Sequence, residues 1–159
     1  MEMASVRDSE VLERFGRGVT GGEYEEIREL WKKHSIAEDR RNLEGLISTL
    51  TEDCVYKMPQ TGNVWNGHAG ARRFYTELLT AFPDIHFDLM DIVIGPQGVC
   101  EEASVTATHK AQWLEFPATN QHLEFRVIIF FPWKPAQKKF GGEKIYLDSV
   151  EKLIRSRPS

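Results

Sequence analysis

His109, His122 and Glu124 are the residues of this chain whose types and spacing best suit chemistry. A glutamate lifted towards neutral pH by burial can give and take a proton. Imidazoles beside it can orient a substrate or hold an enolate oxygen. Arg126, two residues past Glu124, works against that lift. At strand rise its attachment point is about 6.7 Å away. With an effective dielectric of ~20, a charge there is worth roughly 2.5 kcal/mol, or nearly ~2 pKa units downward. Full burial raises a carboxyl by up to about 3–5 units. A deep pocket therefore leaves Glu124 poised, and a shallow one leaves an ordinary Glu124–Arg126 ion pair; both readings stand here. The histidines carry the plainer alternative of structural groups with satisfied hydrogen bonds. No tight His/Asp/Glu spacing suggests a metal, and Cys54 and Cys100 form neither a metal motif nor a disulfide framework.

Two long strands, 99–112 and 121–133, must position these residues, joined by an aromatic connection over 113–120. Leu123, Phe125, Val127, Ile129 and Phe131 alternate with His122, Glu124, Arg126 and Ile128. The first strand sets Ala103, Val105, Ala107 and His109 against Glu102, Ser104, Thr106 and Thr108. The short polar row reads either as the lining of a pocket on a curved sheet or as the wet face of an ordinary antiparallel pair. Trp65, Trp113 and Phe116 are large aromatics in connections, expected to line or lid an apolar pocket or to cover its open end. Tyr56 and Tyr75 read as core residues whose hydroxyls reach a partner.

Helical spacing predicts elements over 23–40, with Tyr24, Ile27, Leu30, Trp31 and His34 on one stripe, over 43–50, and over 71–82. His34 reads as a core histidine or as a polar contact at the pocket mouth. Further strands are expected over 54–58, 85–94 and 143–150, with a turn at 140–142 and a last helical turn near Leu153 and Ile154. The glycine-punctuated segment 1–22 reads as a flexible tail, leaving one domain over 23–155. Helices first and antiparallel strands last imply an α+β architecture.

The chain has 159 residues and a formal charge of −4. Its length suits a single core, and its charge makes no case for nucleic acid or an anionic membrane. No leader-like or membrane-spanning apolar stretch occurs, so a cytoplasmic soluble domain is expected.

Leu50-Thr-Glu-Asp-Cys-Val-Tyr56, Pro59, Trp65-Asn-Gly-His68, Gly70, Phe74-Tyr75, Phe82-Pro-Asp84, Asp91-Ile-Val-Ile94 and Thr108-His109 form an ordered series over most of the chain. It resembles the SnoaL-like polyketide cyclase family of the nuclear transport factor 2-like superfamily. The resemblance implies a cone-shaped fold, with three helices packed against a strongly curved, mostly antiparallel sheet. It also implies a homodimer through the outer sheet face and an apolar small-molecule ligand. In these cyclases an acidic residue is the general acid/base of an aldol closure, with histidines nearby and no metal or organic cofactor. The matching positions are Glu124, where the cyclases use aspartate, with His109 and His122; Trp31, His34, Tyr56, Trp65, Trp113, Phe116 and Arg126 would contact the substrate. Met58 stands where the ketosteroid isomerase branch has its catalytic aspartate. The expected function is cofactor-free acid/base catalysis, an aldol-type cyclisation or isomerisation, on an apolar oxygenated ring. The alternative is a non-catalytic ligand-binding or dimerisation domain, as in the transport-factor branch, and a third reading is a hydrolase or dehydratase using Asp88 and Asp91.

Overall fold

The alternation that marks the second half of the chain builds a six-stranded sheet. In the computed structural model, which describes residues 9–148, the strands are β1 (Leu50–Met58), β2 (Asn63–Asn66), β3 (His86–Gly95), β4 (Gly98–Thr108), β5 (His122–Lys134) and β6 (Lys139–Leu147). Their order is β2-β1-β6-β5-β4-β3. Every pairing is antiparallel except β1 with β6, so the sheet is mixed. The turn into β6 is made by residues 135–138, with Lys138 at positive φ, rather than by 140–142.

Four helices accompany the sheet among the described residues: α1 (Ser9–Phe15), α2 (Gly21–Asp39), α3 (Leu43–Ile47) and α4 (Gly67–Ala81). Thr20 caps α2 by accepting from Glu23 N–H at 3.2 Å. Asn42 caps α3 by accepting from Gly45 N–H at 3.0 Å. Ile27, Ala37, Leu46, Ile47, Ala71, Phe74, Tyr75 and Leu78 carry the buried helical stripes onto one sheet face. That face supplies Leu123, Phe125, Val127, Ile129 and Phe131 from β5, and Val99, Ala103, Val105 and Ala107 from β4.

The α+β class holds, but the three-helix cone does not form. The sheet is open, neither closed nor strongly curled: short β2 and β3 stand at opposite edges, each paired on one side only. The additional helix is α1. Its residues lack glycine until Gly16, whose N–H closes the last turn on Leu12 O at 3.0 Å. Gln97 Nε2 donates to Arg14 O at 3.0 Å, and Arg17 pairs with Glu23 at 2.6 Å and donates to Pro96 O at 3.2 Å. These bonds tie α1 and the start of α2 to the β3–β4 turn. The helical turn expected at Leu153 and Ile154 lies outside the described residues. No helix among the described residues is long and apolar enough to cross a membrane.

Candidate functional site

The helix-facing side of the sheet carries two buried charged residues, Glu101 on β4 and Glu143 on β6, and α2 brings Glu38 to the same space. Ile27, Trp31, His34 and Glu38 repeat at helical spacing on α2, so the stripe that packs Ile27 also aims an indole, an imidazole and a carboxyl at the sheet. Glu101 shares the inward register of Val99, Ala103 and Val105, and Glu143 that of Ile145 and Leu147. Gly142 makes the placement of Glu143 possible. Its φ is +108°, and a Cβ there would lie 2.1 Å from Val55 O. Only glycine lets β6 come this close to β1, which sets Glu143 opposite Tyr56.

Glu143 is 3% exposed, so its charge needs partners. Its Oε1 accepts from Tyr75 OH at 2.8 Å and Tyr56 OH at 3.1 Å, and lies 3.0 Å from His34 Nε2. Thr49 Oγ1 donates to Leu46 O at 2.6 Å, so it accepts from His34 Nδ1 at 2.7 Å. With Nδ1 carrying its hydrogen, Nε2 faces Glu143 Oε1 and, also at 3.0 Å, the Tyr75 hydroxyl. Burial, then the Glu143 charge, push the Tyr56 and Tyr75 hydroxyls well above the usual phenol range, so both stay neutral donors.

Two cavities meet over this cluster. The first, about 440 Å³ with the open solvent at its mouth included, is lined mainly by apolar side chains, among them Met58, Phe74, Phe82, Trp113 and Phe125, with Glu38 and Glu143 at its edge. The second, about 380 Å³, is lined by Trp31, His34, Ser35, Asp39, Glu101 and Phe131 among others. Glu38 and Phe87 belong to both, so they form the seam. Both cavities are narrow, with volumes of about 40 and 30 Å³ once the solvent at their mouths is left out. Burial, reinforced by Glu143, raises the Glu101 carboxyl to about 7, although the Trp31 indole donates to its Oε2 at 2.8 Å and pulls the other way. Glu38 rises well above the carboxylate range, by burial first and then by Glu143, Glu101 and Asp39, with Arg41 opposing. Carboxyls raised in this way beside a cavity suit proton transfer near neutral pH. Among the described residues no group of His, Cys, Asp and Glu side chains is arranged to hold a metal ion.

The model of the SnoaL-like polyketide cyclase family matches residues 24–151. The chain belongs to this family. No curated protein sequence matches it. Among solved structures, a candidate SnoaL-like polyketide cyclase from Jannaschia sp. CCS1 is 14% identical with a TM-score of 0.75, over 90% of this chain and all (100%) of the other. AclR from Streptomyces galilaeus, a candidate hydroxylase, is 21% identical with a TM-score of 0.68, over 84% and 96%. TerC, co-crystallised with polyporic acid, is 15% identical with a TM-score of 0.66, over 82% and 98%. At these identities the likeness is one of fold, that of the nuclear transport factor 2-like superfamily.

In this SnoaL-like chain the residues expected from sequence divide between the two sheet faces. His122, Glu124 and Arg126 are exposed on the outer face, away from both cavities. The β4–β5 register explains why: Thr106 pairs with Glu124 and Thr108 with His122, so they share the outer row, whereas His109 continues the inward row of Ala107. A pocket holding Glu124, His122 and His109 together is therefore corrected. Arg126 pairs with Glu102 at 2.9 Å, across the strands, rather than with Glu124. His109 is fully buried, stacked on Phe82 at 5.0 Å, and burial lowers its pKa. Asp88 and Asp91 are exposed on β3. Trp31, His34, Tyr56 and Trp113 lie in or against the cavities. Trp65 packs on Phe74 at 5.0 Å, outside them, and Phe116 bridges to the Trp113 backbone at 2.9 and 3.0 Å. Sequence reasoning missed Glu38, Glu101 and Glu143. The signal was present: each is a glutamate standing in an otherwise apolar register.

Proposed function

We propose that the double cavity binds a flat, mostly apolar ring-type small molecule and that Glu38 exchanges a proton with it, without help from a cofactor. The observation that carries this reading is a carboxyl free of side-chain hydrogen bonds at the seam of an aromatic-walled cavity, raised above its ordinary range by burial and by three carboxyl neighbours. Such a group suits abstraction of a proton beside a ring carbonyl and its return at another carbon, the shared step of isomerisation and aldol-type cyclisation. Glu143, held by His34, Tyr56 and Tyr75, tunes Glu38 and is not itself the shuttle. TerC, which shares the fold, was co-crystallised with polyporic acid, which supports small-molecule occupancy of this scaffold.

The test is exchange of carbon-bound hydrogen for deuterium in 1-indanone and 2-tetralone, followed by NMR in heavy water. Wild type is expected to accelerate exchange, and Glu38→Gln to lose about 100-fold of that acceleration. Equal rates in the two proteins would remove Glu38 from the chemistry. The narrowness of both cavities favours a second reading, a ligand-binding domain without catalysis, which predicts binding of these ketones and no exchange. In either reading we place a homodimer on the outer sheet face, where Val93, Ile128 and Tyr146 are exposed beside Cys100 and Phe130.

A further inference from the structure

Hydrogen-bonding capacity in the double cavity is one-sided. Its donors are committed: Tyr56 and Tyr75 to Glu143, His34 Nδ1 to Thr49, Thr49 to Leu46 O, and Trp31 Nε1 to Glu101 Oε2. Its acceptors are not. Among the described residues no hydrogen bond falls on the carboxyl of half-buried Glu38, on that of Asp39, which is exposed at the mouth, or on buried Glu101 Oε1, and all three side chains line the second cavity. Ser35, the remaining polar group there, works as donor or acceptor. With Glu38 and Glu101 ionised, a ligand that satisfies this wall brings its own N–H or O–H groups, and a carboxylate or phosphate would find acceptors facing it; while protonated, each of the two carboxyls offers one O–H, so the preference for a donor strengthens as pH rises.

Charge and shape agree. Glu38, Asp39 and Glu101 face the second cavity against one imidazole, His34, while the Arg41 guanidinium is directed to Ile85 O. Trp31, Phe87 and Phe131 supply aromatic surface beside these carboxyls, which favours a cation over an anion of the same size. The adjoining cavity is apolar and narrow, which suits a flat hydrocarbon ring.

We propose that the ligand is a ring-bearing amine in its protonated form, with its ring in the apolar cavity and its ammonium between Glu101 Oε1 and Asp39. This rests on the pocket reading above and not on its catalytic step. It also links the two, since a cation held beside Glu38 favours the ionised carboxylate and so turns that group into a base when the ligand is present.

Three probes with one ring and different head groups decide the matter: phenethylamine, 2-phenylethanol and phenylacetate, titrated calorimetrically into the full chain. Phenethylammonium is expected to bind about tenfold or more tighter than phenylacetate, as a charge-assisted hydrogen bond implies. Its affinity should rise between about pH 5 and about pH 8, because the cation displaces protons held by Glu38 and Glu101. Asp39, Glu143, His34 and Arg41 face the same space, so Glu101→Gln isolates one contribution. That variant should lose most of the preference while circular dichroism reports an intact fold, and the wild-type series alone is decisive if it does not fold. Phenylacetate or the alcohol binding as tightly as the amine would overturn the proposal, as would an amine that fails to bind. Binding led by the alcohol leaves the acid/base reading of Glu38 standing. Amine selectivity without ketone exchange removes that reading and leaves this one.

Discussion

The two faces of the sheet carry similar residue types to opposite ends. On the outer face Glu102 and Glu124 stand among Ser104, Thr106, Arg126 and His122, in reach of water. On the inner face Glu101 and Glu143 stand among Val99, Ala103, Ile145 and Leu147. Water screens the outer carboxyls, and the Glu102–Arg126 bridge between exposed strands adds little. Inside, each carboxyl pays for desolvation unless a donor meets it, which is why Glu143 gathers two tyrosines and an imidazole and Glu101 an indole. Residue type therefore says less about function here than the side of the pleat on which a residue falls.

Removing one carboxyl from each face breaks the comparison most sharply. Glu143→Ala leaves Tyr56, Tyr75 and His34 without their shared acceptor in the core, and loss of one partner from a buried charged group costs about 3–5 kcal/mol. Glu124→Ala should stay within about 0.5 kcal/mol, as exposed substitutions do. Urea unfolding followed by tryptophan fluorescence measures both. Comparable losses in the two variants would mean that the faces do not differ as described.

How much of this was legible in the sequence follows from the same pleat. Strand alternation, the stripe on α4 and the family series located most elements to within a few residues, since periodicity and turn residues act locally; α1, read as tail, and β2, read as the connection holding Trp65, were missed. Whether two paired strands put a given pair of side chains on one face depends on register, which is a tertiary property. His109 and Glu124 lie on adjacent strands but on opposite faces because Ala107 pairs with Leu123. Curvature was illegible for a related reason: it depends on whether the edge strands β2 and β3 find a second neighbour on their free sides, and no local pattern records that. Glu101 and Glu143 were visible as charged letters inside apolar rows. A charge at such a position is costly, which sets it apart from the glutamates of the polar row.

Acidity offers a finer cut between the faces. The folded Glu101 carboxyl, raised from 4.5 to about 7, holds its proton more tightly than the unfolded chain does. Between those values the native state binds more protons, so its stability falls as pH rises, by on the order of 3 kcal/mol from this group alone. That contribution is complete below about 4.5 and lost above about 7. Glu38, raised for the same causes, slopes the same way. His109 slopes oppositely: burial lowers its pKa, so protonation on acidification favours the unfolded chain. The informative quantity is thus wild type minus Glu101→Gln, measured by chemical unfolding at closely spaced pH. It should fall across that window. A flat difference for Glu101 would place that carboxyl in water.

The smallest effect on the protomer's own stability, and the most local, is expected where the outer face is apolar. Ile128 and Tyr146 are cross-strand partners on β5 and β6, both exposed, with Val93 two strands away on β3. Exposed apolar pairs on a sheet face are inexpensive in a monomer but are the surface a second copy would cover. Ile128→Lys with Tyr146→Lys sets two charges into that patch next to Lys144. Sedimentation at micromolar concentration should then change from dimer to monomer, and the protomer should lose no more than about 0.5 kcal/mol, since neither side chain reaches the core. Binding of phenethylamine should be unaltered, because both cavities open on the other side of the sheet. A variant that stays dimeric moves the interface elsewhere. One that loses the ligand together with the dimer would show that the two faces, kept apart here by one layer of strands, are energetically joined.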